Sequence, residues 1–584
     1  MAPRTRKSHL DLVRPSIPMT RATKRQLVPG KTNHVVIVGA GLAGLTAAIR
    51  VRATGRDVTV IDSESTVGGR CRTEWLTSGH GRYAADTGAS VFTMPSLVES
   101  AIASVGLRPQ DLAEDLPEGW GLHKLSPAYR AEFASGRVLG VYSNSDRMLS
   151  EIRRFASDHY SAADVERIQQ GYLHHRDWAA ELFASSFENF LAADFDSPLD
   201  LLSTPASASD LGHLLSLGAF GSLGRKTEKQ VIDHELARVL SFQALYAGVA
   251  PRKALAVYAV IAHMDTSMGV YYPRFGIGDV PELMAAAARK VGVSFQLERE
   301  VASFTFDGDH ITAVNLSDGE TIPADAVIAT PDLPVMEKLL NASRPGAADG
   351  TGRLSRLARR YRRPKLNWSP SAVVIHGTIP TATADAWVGQ QEATQADGHS
   401  GMHHTISFGH AWDQTFREIT GKNPSKRGEL MSDPSLLVTR PAASAPARRQ
   451  TTDSGMRYEP ISVLAPAPNL TKAPLDWDAI TDPYTEEILG LLEQRGFAGL
   501  ASDISIARVD TPATWLGMGH GAGTPFALAH TFTQTGPFRP RNYPAYGIDN
   551  LVMAGSSTTP GVGVPTTILS GALAARRIGG GGVK

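Results

Sequence analysis

The sequence has little cysteine, no long apolar run and no excess of either charge. A single cysteine, Cys71, stands among 584 residues, which excludes an internal disulfide framework and suits a reducing cytoplasm. No apolar run reaches the roughly 18 residues that are needed to span a bilayer. With 58 basic and 58 acidic side chains, the basic surplus typical of a nucleic-acid-binding protein is missing. The length predicts two or more folding units.

The first 32 residues are basic and interrupted by proline. Eight Lys and Arg side chains stand against one acid, Asp11, and Pro15, Pro18 and Pro29 break the segment further. It has no apolar core of the signal-peptide type, so we predict that residues 1–32 form a disordered extension. Two alternatives are a start codon placed too early and a polybasic contact with anionic lipid.

A segment near the N-terminus has the pattern of a strand, a helix and a second strand. The apolar, β-branched run at residues 34–38 predicts a buried parallel strand. A glycine-rich turn follows at 39–44, and then a helical stretch at 45–53 and a second strand at 58–61. Asp62 comes directly after that strand. This order is typical of a dinucleotide-binding βαβ unit.

Three glycines and one acid have distinct predicted roles in this unit. Gly39 permits the tight turn, Gly41 allows the backbone to approach a pyrophosphate, and Gly44 lets the helix pack on the strand. The helix N-terminus offers free N–H groups and a positive dipole end to the phosphates. Asp62 is placed to accept hydrogen bonds from ribose hydroxyls.

The residues after Asp62 resemble a known family of flavoproteins. Gly68-Gly69-Arg70 is similar to the glycine pair and arginine that follow the first βαβ unit in the amine-oxidase and desaturase superfamily, and residues 85–90 resemble its next loop. The resemblance implies bound FAD rather than NAD, with Arg70 near the flavin, although the family more often has Glu where Asp62 stands. The predicted cofactor-binding residues are Gly39, Gly41, Leu42, Ala43, Gly44, Asp62, Ser63, Gly69, Arg70, Val301, Gly555, Ser556, Val564 and Pro565.

The rest of the chain predicts further pieces of this domain around an inserted one. Three short strands joined by Asp-Gly turns, a buried returning strand, and a late strand followed by a helix starting near Pro565 are common in such flavoproteins. We therefore predict an α/β fold, a discontinuous Rossmann-like FAD-binding domain with an inserted mixed α+β substrate domain. These late elements are predicted at residues 301–322, 326–329, 551–555 and 566–578.

Domain boundaries follow from this arrangement. Short strands are also predicted at residues 373–375, 405–408 and 462–464, and residues 342–365 and 440–455 have the composition of surface insertions. The predicted regions are the extension (1–32), three FAD-binding pieces (33–110, 269–340 and 546–584), a helical region facing substrate and membrane (111–268) and a substrate domain (341–545).

Several later segments resemble phytoene desaturases of the bacterial and fungal type. Three positions depart from that family's pattern: Phe275 replaces a usual glycine, Thr559 a common histidine, and Thr566 a glycine or apolar residue. These departures bear on the choice of substrate rather than on the cofactor. The similar segments are residues 269–276, His403-His404 with the strand that follows, residues 463–468, Asp476-Trp477, residues 534–540 and residues 554–565.

The resemblance implies an FAD-dependent carotenoid desaturase that acts on an apolar isoprenoid, with phytoene as the expected substrate. Two hydrogens would leave next to an existing double bond, and a quinone or oxygen would then accept the electrons. A hydrocarbon substrate also requires an apolar tunnel and a membrane surface, for which residues 149–262 are the candidate unless their apolar stripe is plain core. The expected location is cytoplasmic, on the membrane face, with no nucleic-acid partner.

Four residues are candidates for contact with the reacting groups. Arg130, in a segment similar to one near the family's substrate channel, could steady a polarised intermediate or form a surface salt bridge. His530, Gln534 and Arg539 belong to a loop that the family folds toward the flavin. No metal site is expected at the histidine pair 403–404, because neighbouring residues of a strand point to opposite faces. In addition, no cluster of carboxylates or cysteines accompanies the pair to supply further ligands. Cys71 is interpreted as a packed side chain.

Other functions of the same superfamily are alternatives. They include a later-step carotenoid desaturase, a ketolase, a retinoid saturase and an amine oxidase, although no convincing aromatic pair for holding an amine is present. Outside enzymes, proteins of the Rab escort type keep the fold and bind prenylated partners without flavin chemistry. The intact glycines at positions 39, 41, 44, 68 and 69 favour a bound flavin.

Overall fold

The structure is a computed structural model with a mixed α/β architecture, in which a parallel sheet and a larger mixed sheet carry a cavity between them. Residues 1–25, which are most of the predicted extension, and residues 345–365, which are most of one predicted insertion, lie outside the described part of the chain. The described residues are 26–344, 366–387, 403–421 and 427–579.

A five-stranded parallel sheet forms the centre of the predicted FAD-binding domain. Helices cover both faces, which explains why its strands are apolar runs rather than alternating sequences. Its register sets Val36 beside Thr59 on one side and beside Val327 on the other. The predicted strands are confirmed, and 294–296 adds an edge that was not predicted. The order across the sheet is Leu551–Met553, Ala326–Ala329, His34–Val38, Asp57–Ile61 and Ser294–Gln296.

Helices that pack on this sheet come from distant parts of the chain. The first begins at Leu42 rather than at residue 45, because the Leu45 N–H already donates to the Gly41 carbonyl (2.9 Å). The last contains Pro565 in its first turn, as predicted. The helices are Leu42–Arg52, Ser96–Ala103, Asp279–Lys290 and Val564–Arg577, and Leu333–Ser343 packs with the predicted meander of Val301–Asp307, His310–Leu316 and Thr321–Pro323.

A large mixed sheet lies mostly in the region predicted as the substrate domain. Strand Tyr129–Phe133 joins it by pairing parallel to His404–Phe408, so residues before and after the middle piece of the FAD domain share one sheet. Its strands, in order, are Ser505–Asp510, Ser371–Pro380, Arg457–Ala467, Leu436–Thr439, His404–Phe408, Tyr129–Phe133 and Val138–Val141, with Gln450–Thr451 beside the third. Two further antiparallel pairs are the hairpin Thr73–Ser78 with Gly81–Asp86 and the long-range pair Leu122–Lys124 with Tyr271–Pro273. The helices in the same region as the mixed sheet are Thr381–Ala386, Asp413–Thr420, Trp477–Gln494, Leu500–Asp503 and Pro512–Gly517.

The stretch between residues 145 and 263 is helical, as predicted. Its longest helix is capped at the N-terminus by the Ser161 hydroxyl, which accepts from the Asp164 N–H. Within the described ranges, none of the helices combines the length and apolar character that crossing a membrane requires. The helices are Ser145–Ala156, Ala162–Ser186, Pro205–Ser216, Leu223–Gln230, His234–Val239 and Ala259–His263.

Two regions differ from the sequence prediction. Residues 26–32, predicted as disordered, pack on the C-terminal helix, where Val28 is buried and its N–H donates to the Arg577 carbonyl (2.8 Å). Residues 440–455, predicted as a surface insertion, bury Arg440 and Arg448. Arg440 pairs with the buried Glu459 at 2.8 Å. Composition suggested a surface loop because it counts charged side chains without showing their partners.

Candidate active site

A cavity of about 1210 Å³ lies where the parallel sheet, the helical region and the mixed sheet meet. One end is lined by the glycine turn after the first strand and by Asp62. The other end is lined by apolar side chains from the helical region and from the mixed sheet, including Leu211, Leu214, Leu255, Phe416 and Leu464. A single space therefore joins a dinucleotide-binding turn to an apolar lobe.

Glycine is required at the nucleotide end for two different reasons. A Cβ at Gly39 would lie 2.0 Å from Thr330 Oγ1, and one at Gly44 would lie 1.9 Å from the Gly39 carbonyl oxygen. A Cβ at Gly41 would meet only the Gly68 carbonyl, at 3.8 Å, and would otherwise point into free space. Gly39 and Gly44 thus serve the packing of the protein itself, whereas the bare surface at Gly41 leaves room for a ligand.

Asp62 is held at the end of the second strand by its neighbours' backbone. Its two carboxylate oxygens accept from the Ala40 N–H (2.6 Å) and from the Glu64 N–H (2.9 Å). Burial raises the pKa of the Asp62 carboxyl, and these two hydrogen bonds act in the opposite direction. The carboxylate is therefore fixed at the cavity wall, where it can accept from hydroxyls of a ligand.

All but one of the predicted cofactor-binding residues line the cavity. The exception is Gly44, which lies behind the turn and allows the helix to approach the strand, the role predicted for it. The structure thus gathers side chains and backbone from three separated chain segments into one wall. The lining residues are Gly39, Gly41, Leu42, Ala43, Asp62, Ser63, Gly69, Arg70, Val301, Gly555, Ser556, Val564 and Pro565.

A buried polar cluster around Arg70 was only partly predicted. Arg70 donates to the Pro525 carbonyl (2.7 Å) and to the Ser556 hydroxyl. Asp332 accepts from the Gly521 N–H (3.0 Å) and from the Ser557 hydroxyl. His520 also lines the cavity, and burial, together with the charge of Arg70, lowers its pKa to about 3. Sequence reasoning missed Asp332 and His520.

A signal for Asp332 is present in the sequence. It follows the buried strand Ala326–Ala329, and ligands of parallel sheets bind beyond the carboxyl ends of the strands. That rule could have identified it. His520 has no comparable signal, because the segment that brings it to the cavity belongs to no regular pattern.

Of the four catalytic candidates, His530 lines the cavity. Its Nε2 accepts from the Val562 N–H (3.4 Å), and its Nδ1 lies 2.9 Å from the Tyr258 hydroxyl. Tyr258 lies 2.7 Å from the Thr535 hydroxyl, which donates to the Thr531 carbonyl (2.7 Å). The chain of donors is consistent only if His530 is neutral with its proton on Nδ1. Burial lowers its pKa well below the usual range, in agreement with the neutral form.

Gln534 and Arg539 do not line the cavity, which corrects their prediction as contact residues. The Gln534 amide donates to the Asn367 (2.8 Å) and Ala529 (2.9 Å) carbonyls. The Arg539 guanidinium donates to carbonyls of two loops, among them those of Ser556 (2.6 Å) and Thr558 (3.0 Å). Both side chains therefore use their hydrogen-bond donors to hold the backbone of neighbouring loops together behind the cavity wall.

Arg130 is also absent from the cavity wall. Its Nε lies 2.7 Å from the Glu132 carboxylate, and both side chains are mostly buried in the mixed sheet. Arg130 thus forms a salt bridge, which was the alternative to a role in catalysis. The bridge was expected at the surface but is mostly buried. Its neighbour Tyr129 points inward instead and donates to Asp265 (3.2 Å).

The paired histidines and the single cysteine are packed in the interior. His403 and His404 have ring centroids 4.4 Å apart, and their Nδ1 atoms lie 2.5 Å from the Ser444 hydroxyl and 3.1 Å from the Thr439 hydroxyl. Over the described ranges there is no group of three His, Cys, Asp or Glu side chains that could hold a metal ion. Burial raises the pKa of the Cys71 thiol, so the reactive thiolate is disfavoured.

Comparisons with known proteins agree with this geometry. The family described as flavin containing amine oxidoreductase matches residues 42–431 and 520–579. A phytoene dehydrogenase of Streptomyces griseus is 44% identical and covers 95% of this chain and 96% of its own. A zeta-carotene-forming phytoene desaturase of Myxococcus xanthus is 27% identical, with 93% of each chain covered. A lycopene-forming phytoene desaturase of a Paracoccus species is 28% identical over 91% of this chain and 94% of its own.

Solved structures with the same fold are more distant in sequence. An oxidoreductase from Methanosarcina mazei has a TM-score of 0.54 at 14% identity, covering 92% of this chain and 99% of its own. A redesigned putrescine oxidase has a TM-score of 0.53 at 14% identity, covering 94% and 99%. At such low identity these similarities establish the fold of the chain and nothing further.

Proposed function

The chain belongs to the flavin containing amine oxidoreductase family and is an FAD-dependent carotenoid desaturase, and from this premise we propose that its substrate is phytoene. The reaction removes hydrogen from CH–CH units of an apolar isoprenoid and leaves conjugated double bonds. The observation that carries the proposal is the continuity of one cavity from the glycine turn to the apolar lobe. A long hydrocarbon can lie in that lobe with one of its carbons at the cofactor end.

The residues at the nucleotide end suit FAD in shape and in chemistry. Gly41 leaves the backbone bare where a pyrophosphate would approach, and the N-terminus of the helix at Leu42 offers N–H groups to it. Asp62 offers a fixed acceptor to ribose hydroxyls, and Arg70 places a cation on the wall of the same cavity. When bound, FAD supplies the acceptor for hydride. The protein holds the substrate carbon in place and keeps water out.

The proposal is tested by incubating the purified protein with FAD and phytoene in liposomes. Products with extended conjugation should be seen as visible absorption bands, and chromatography of the intermediates counts the double bonds formed. Bound flavin without any product from phytoene would contradict phytoene as substrate and direct the search to a later carotenoid. Failure of the purified protein to bind FAD would contradict the assignment as an FAD-dependent desaturase.

We propose that the substrate enters from the cytoplasmic membrane surface through an apolar patch at the cavity mouth. Four large apolar side chains are unusually exposed there: Leu199 (75%), Leu202 (62%), Leu215 (61%) and Phe532 (57%). Leu215 and Phe532 also line the cavity. Phe532 packs on Phe538 (5.9 Å between ring centroids), whose turn contacts the turn 198–202. Exposed clustered leucine and phenylalanine at a cavity mouth fit a surface that dips into lipid.

Replacing Leu199 and Leu202 together by serine should weaken liposome binding by at least about tenfold, since burying each leucine contributes roughly 2 kcal/mol. Neither side chain lines the cavity, so turnover of detergent-solubilised substrate should stay unchanged. Co-sedimentation with liposomes measures the first effect, and Met456→Ser, at an exposed site just before the strand Arg457–Ala467, is the matched control. Equal sedimentation of wild type and double variant would refute the patch as the membrane contact.

We propose further that a lipid-soluble quinone accepts the electrons. Each double bond releases two electrons, and an acceptor that resides in the membrane reaches the same surface as the substrate. Anaerobic turnover that starts on addition of a quinone supports this assignment. Turnover that requires oxygen and ignores the quinone would instead assign oxygen as the acceptor.

A further inference from the structure

Among the described residues, six carboxylates line the cavity, and five of them either have a structural partner or lie at the nucleotide end. Asp332 caps the helix that begins at Leu333, accepts from Ser557, and closes the loop at Gly521. Asp86 pairs with the buried Arg448. Asp62, Glu64 and Glu300 lie at the nucleotide end, where Asp62 and Glu64 follow the strand Asp57–Ile61 and Glu300 precedes the strand Val301–Asp307. The sixth, Asp265, is the one that faces the apolar lobe.

Asp265 is buried in a turn of unusual geometry. It belongs to a π-helical turn, Met264–Met268, that follows the helix Ala259–His263, and such turns occur often at functional sites. Apolar side chains from its own turn and from the preceding helix line the cavity beside it. Its side chain is thus presented to the space that the hydrocarbon would occupy.

The groups that face Asp265 are neutral. The Tyr129 hydroxyl donates to it at 3.2 Å, and the Gln243 amide lies 3.4 Å from both of its oxygens. The Tyr246 hydroxyl and the Thr266 backbone N–H complete the surroundings. Burial raises the pKa of Asp265 to about 8, although the bonds from Gln243 and Tyr129 act to lower it. The carboxylate therefore becomes available as a base as the pH rises through that value.

Contacts connect Asp265 to the loop at the flavin end. The Tyr129 ring packs beside His404 (5.9 Å between centroids), and the His404 ring faces the backbone carbonyl of Ser90, which can accept a hydrogen bond from it. The preceding residue, Ala89, donates its N–H to the Arg70 carbonyl (3.0 Å). The surroundings of Asp265 are thus connected by contacts to the loop that bonds to Arg70.

The histidines at the cavity wall are poorer candidates for proton transfer. The Nε2 of His530 already accepts from Val562, and its Nδ1 proton is engaged by Tyr258. His376 lies 3.2 Å from the buried Asp510. Burial and the cation of Arg70 lower the pKa of His520, which makes it a weak base. Each of these three described histidines is thus either engaged by a neighbour or weakly basic.

We propose that the Asp265 carboxylate is the catalytic base that takes the proton in the desaturation. This inference rests on the proposed function. Removing two hydrogens breaks two C–H bonds: one hydrogen leaves with both bonding electrons as hydride, which goes to the flavin. The neighbouring carbon loses the other hydrogen as a proton to a carboxylate oxygen of Asp265, and the electron pair left behind forms the new double bond. Tyr129 and Gln243 position the carboxylate.

The first test compares the wild type with Asp265→Asn as FAD-loaded proteins in liposomes. Asparagine keeps the size and the acceptor for Tyr129 but cannot take a proton, so kcat should fall by about 10²–10⁴-fold with little change in KM. In the wild type, kcat/KM should rise with pH through a pKa near 8. Asp265→Glu should restore part of the activity together with the pH dependence, which a purely structural role would not predict.

The second test observes the carboxyl group itself and does not depend on turnover. Infrared difference spectra of the FAD-loaded protein between pH 6 and pH 10 should contain a protonated carboxyl band that titrates near pH 8 and is absent from Asp265→Asn. The matched control is Asp279→Asn, since Asp279 also has a pKa raised by burial, to about 7, but lies outside the cavity wall. Its pH profile of activity should equal that of the wild type.

The outcomes separate the two proposals. If the wild type fails to desaturate phytoene, the proposed function is wrong irrespective of Asp265. If the wild type is active and Asp265→Asn retains full kcat and the same pH profile, the base is another group and only this inference is overturned. A missing titrating band near pH 8 would overturn it as well.

Discussion

Valine at position 41 should give a folded protein that purifies without flavin. The backbone there has φ −74° and ψ 177°, a conformation open to any residue, and the nearest protein atom to an added Cβ is 3.8 Å away. The valine methyl groups would instead occupy the space into which the glycine turn admits the pyrophosphate. We expect the affinity for FAD to fall at least about 100-fold, which corresponds to roughly 3 kcal/mol.

Flavin absorbance of the purified variant and titration with added FAD measure this effect, and circular dichroism and thermal unfolding without cofactor test the fold. Gly44→Val is the contrasting variant, because its Cβ would lie 1.9 Å from the Gly39 carbonyl oxygen. That protein should fail to fold rather than merely lose flavin. A Gly41→Val protein that keeps stoichiometric FAD would show that the pyrophosphate does not lie against this turn.

Replacing Arg448 by methionine should destabilise the protein by about 3–5 kcal/mol. Arg448 is buried between the domains, where it pairs with Asp86 (3.4 Å) and donates to the carbonyls of Ala84 (2.6 Å) and Phe275. Without it, a carboxylate that is itself buried loses its cation, and two carbonyls lose a donor. Because Asp86 precedes the loop at Gly88 that approaches Arg70, flavin binding should weaken too.

Denaturant unfolding of the wild type and the variant, both saturated with FAD, measures the loss of stability. Arg457→Met serves as control, since Arg457 is exposed at the start of the neighbouring strand and its loss should change stability by less than about 0.5 kcal/mol. Equal destabilisation by the two substitutions would mean that the buried ion pair is not what holds residues 440–455 in place.

Local patterns in the sequence determined the FAD-binding half of this protein. A strand, the turn at Gly39 and Gly41, a helix and Asp62 are contiguous, and their spacing is fixed by the geometry of a βαβ unit. The buried strands at 326–329 and 551–553 are apolar on both faces and bounded by turn residues, so they too could be predicted before their partners were known. The cofactor wall follows, because parallel strands end at one edge of a sheet.

Only the tertiary structure decided which side chains face the substrate. His530, Gln534 and Arg539 lie within ten residues of each other, yet one faces the cavity and the other two hold loop backbone. Arg448 looked like part of a charged surface loop until its partner Asp86, 362 residues away, was seen beside it. Asp265 stands in a helical stretch without any motif. Burial and long-range pairing create these roles, and both depend on residues far apart in the chain, which short-range patterns do not encode.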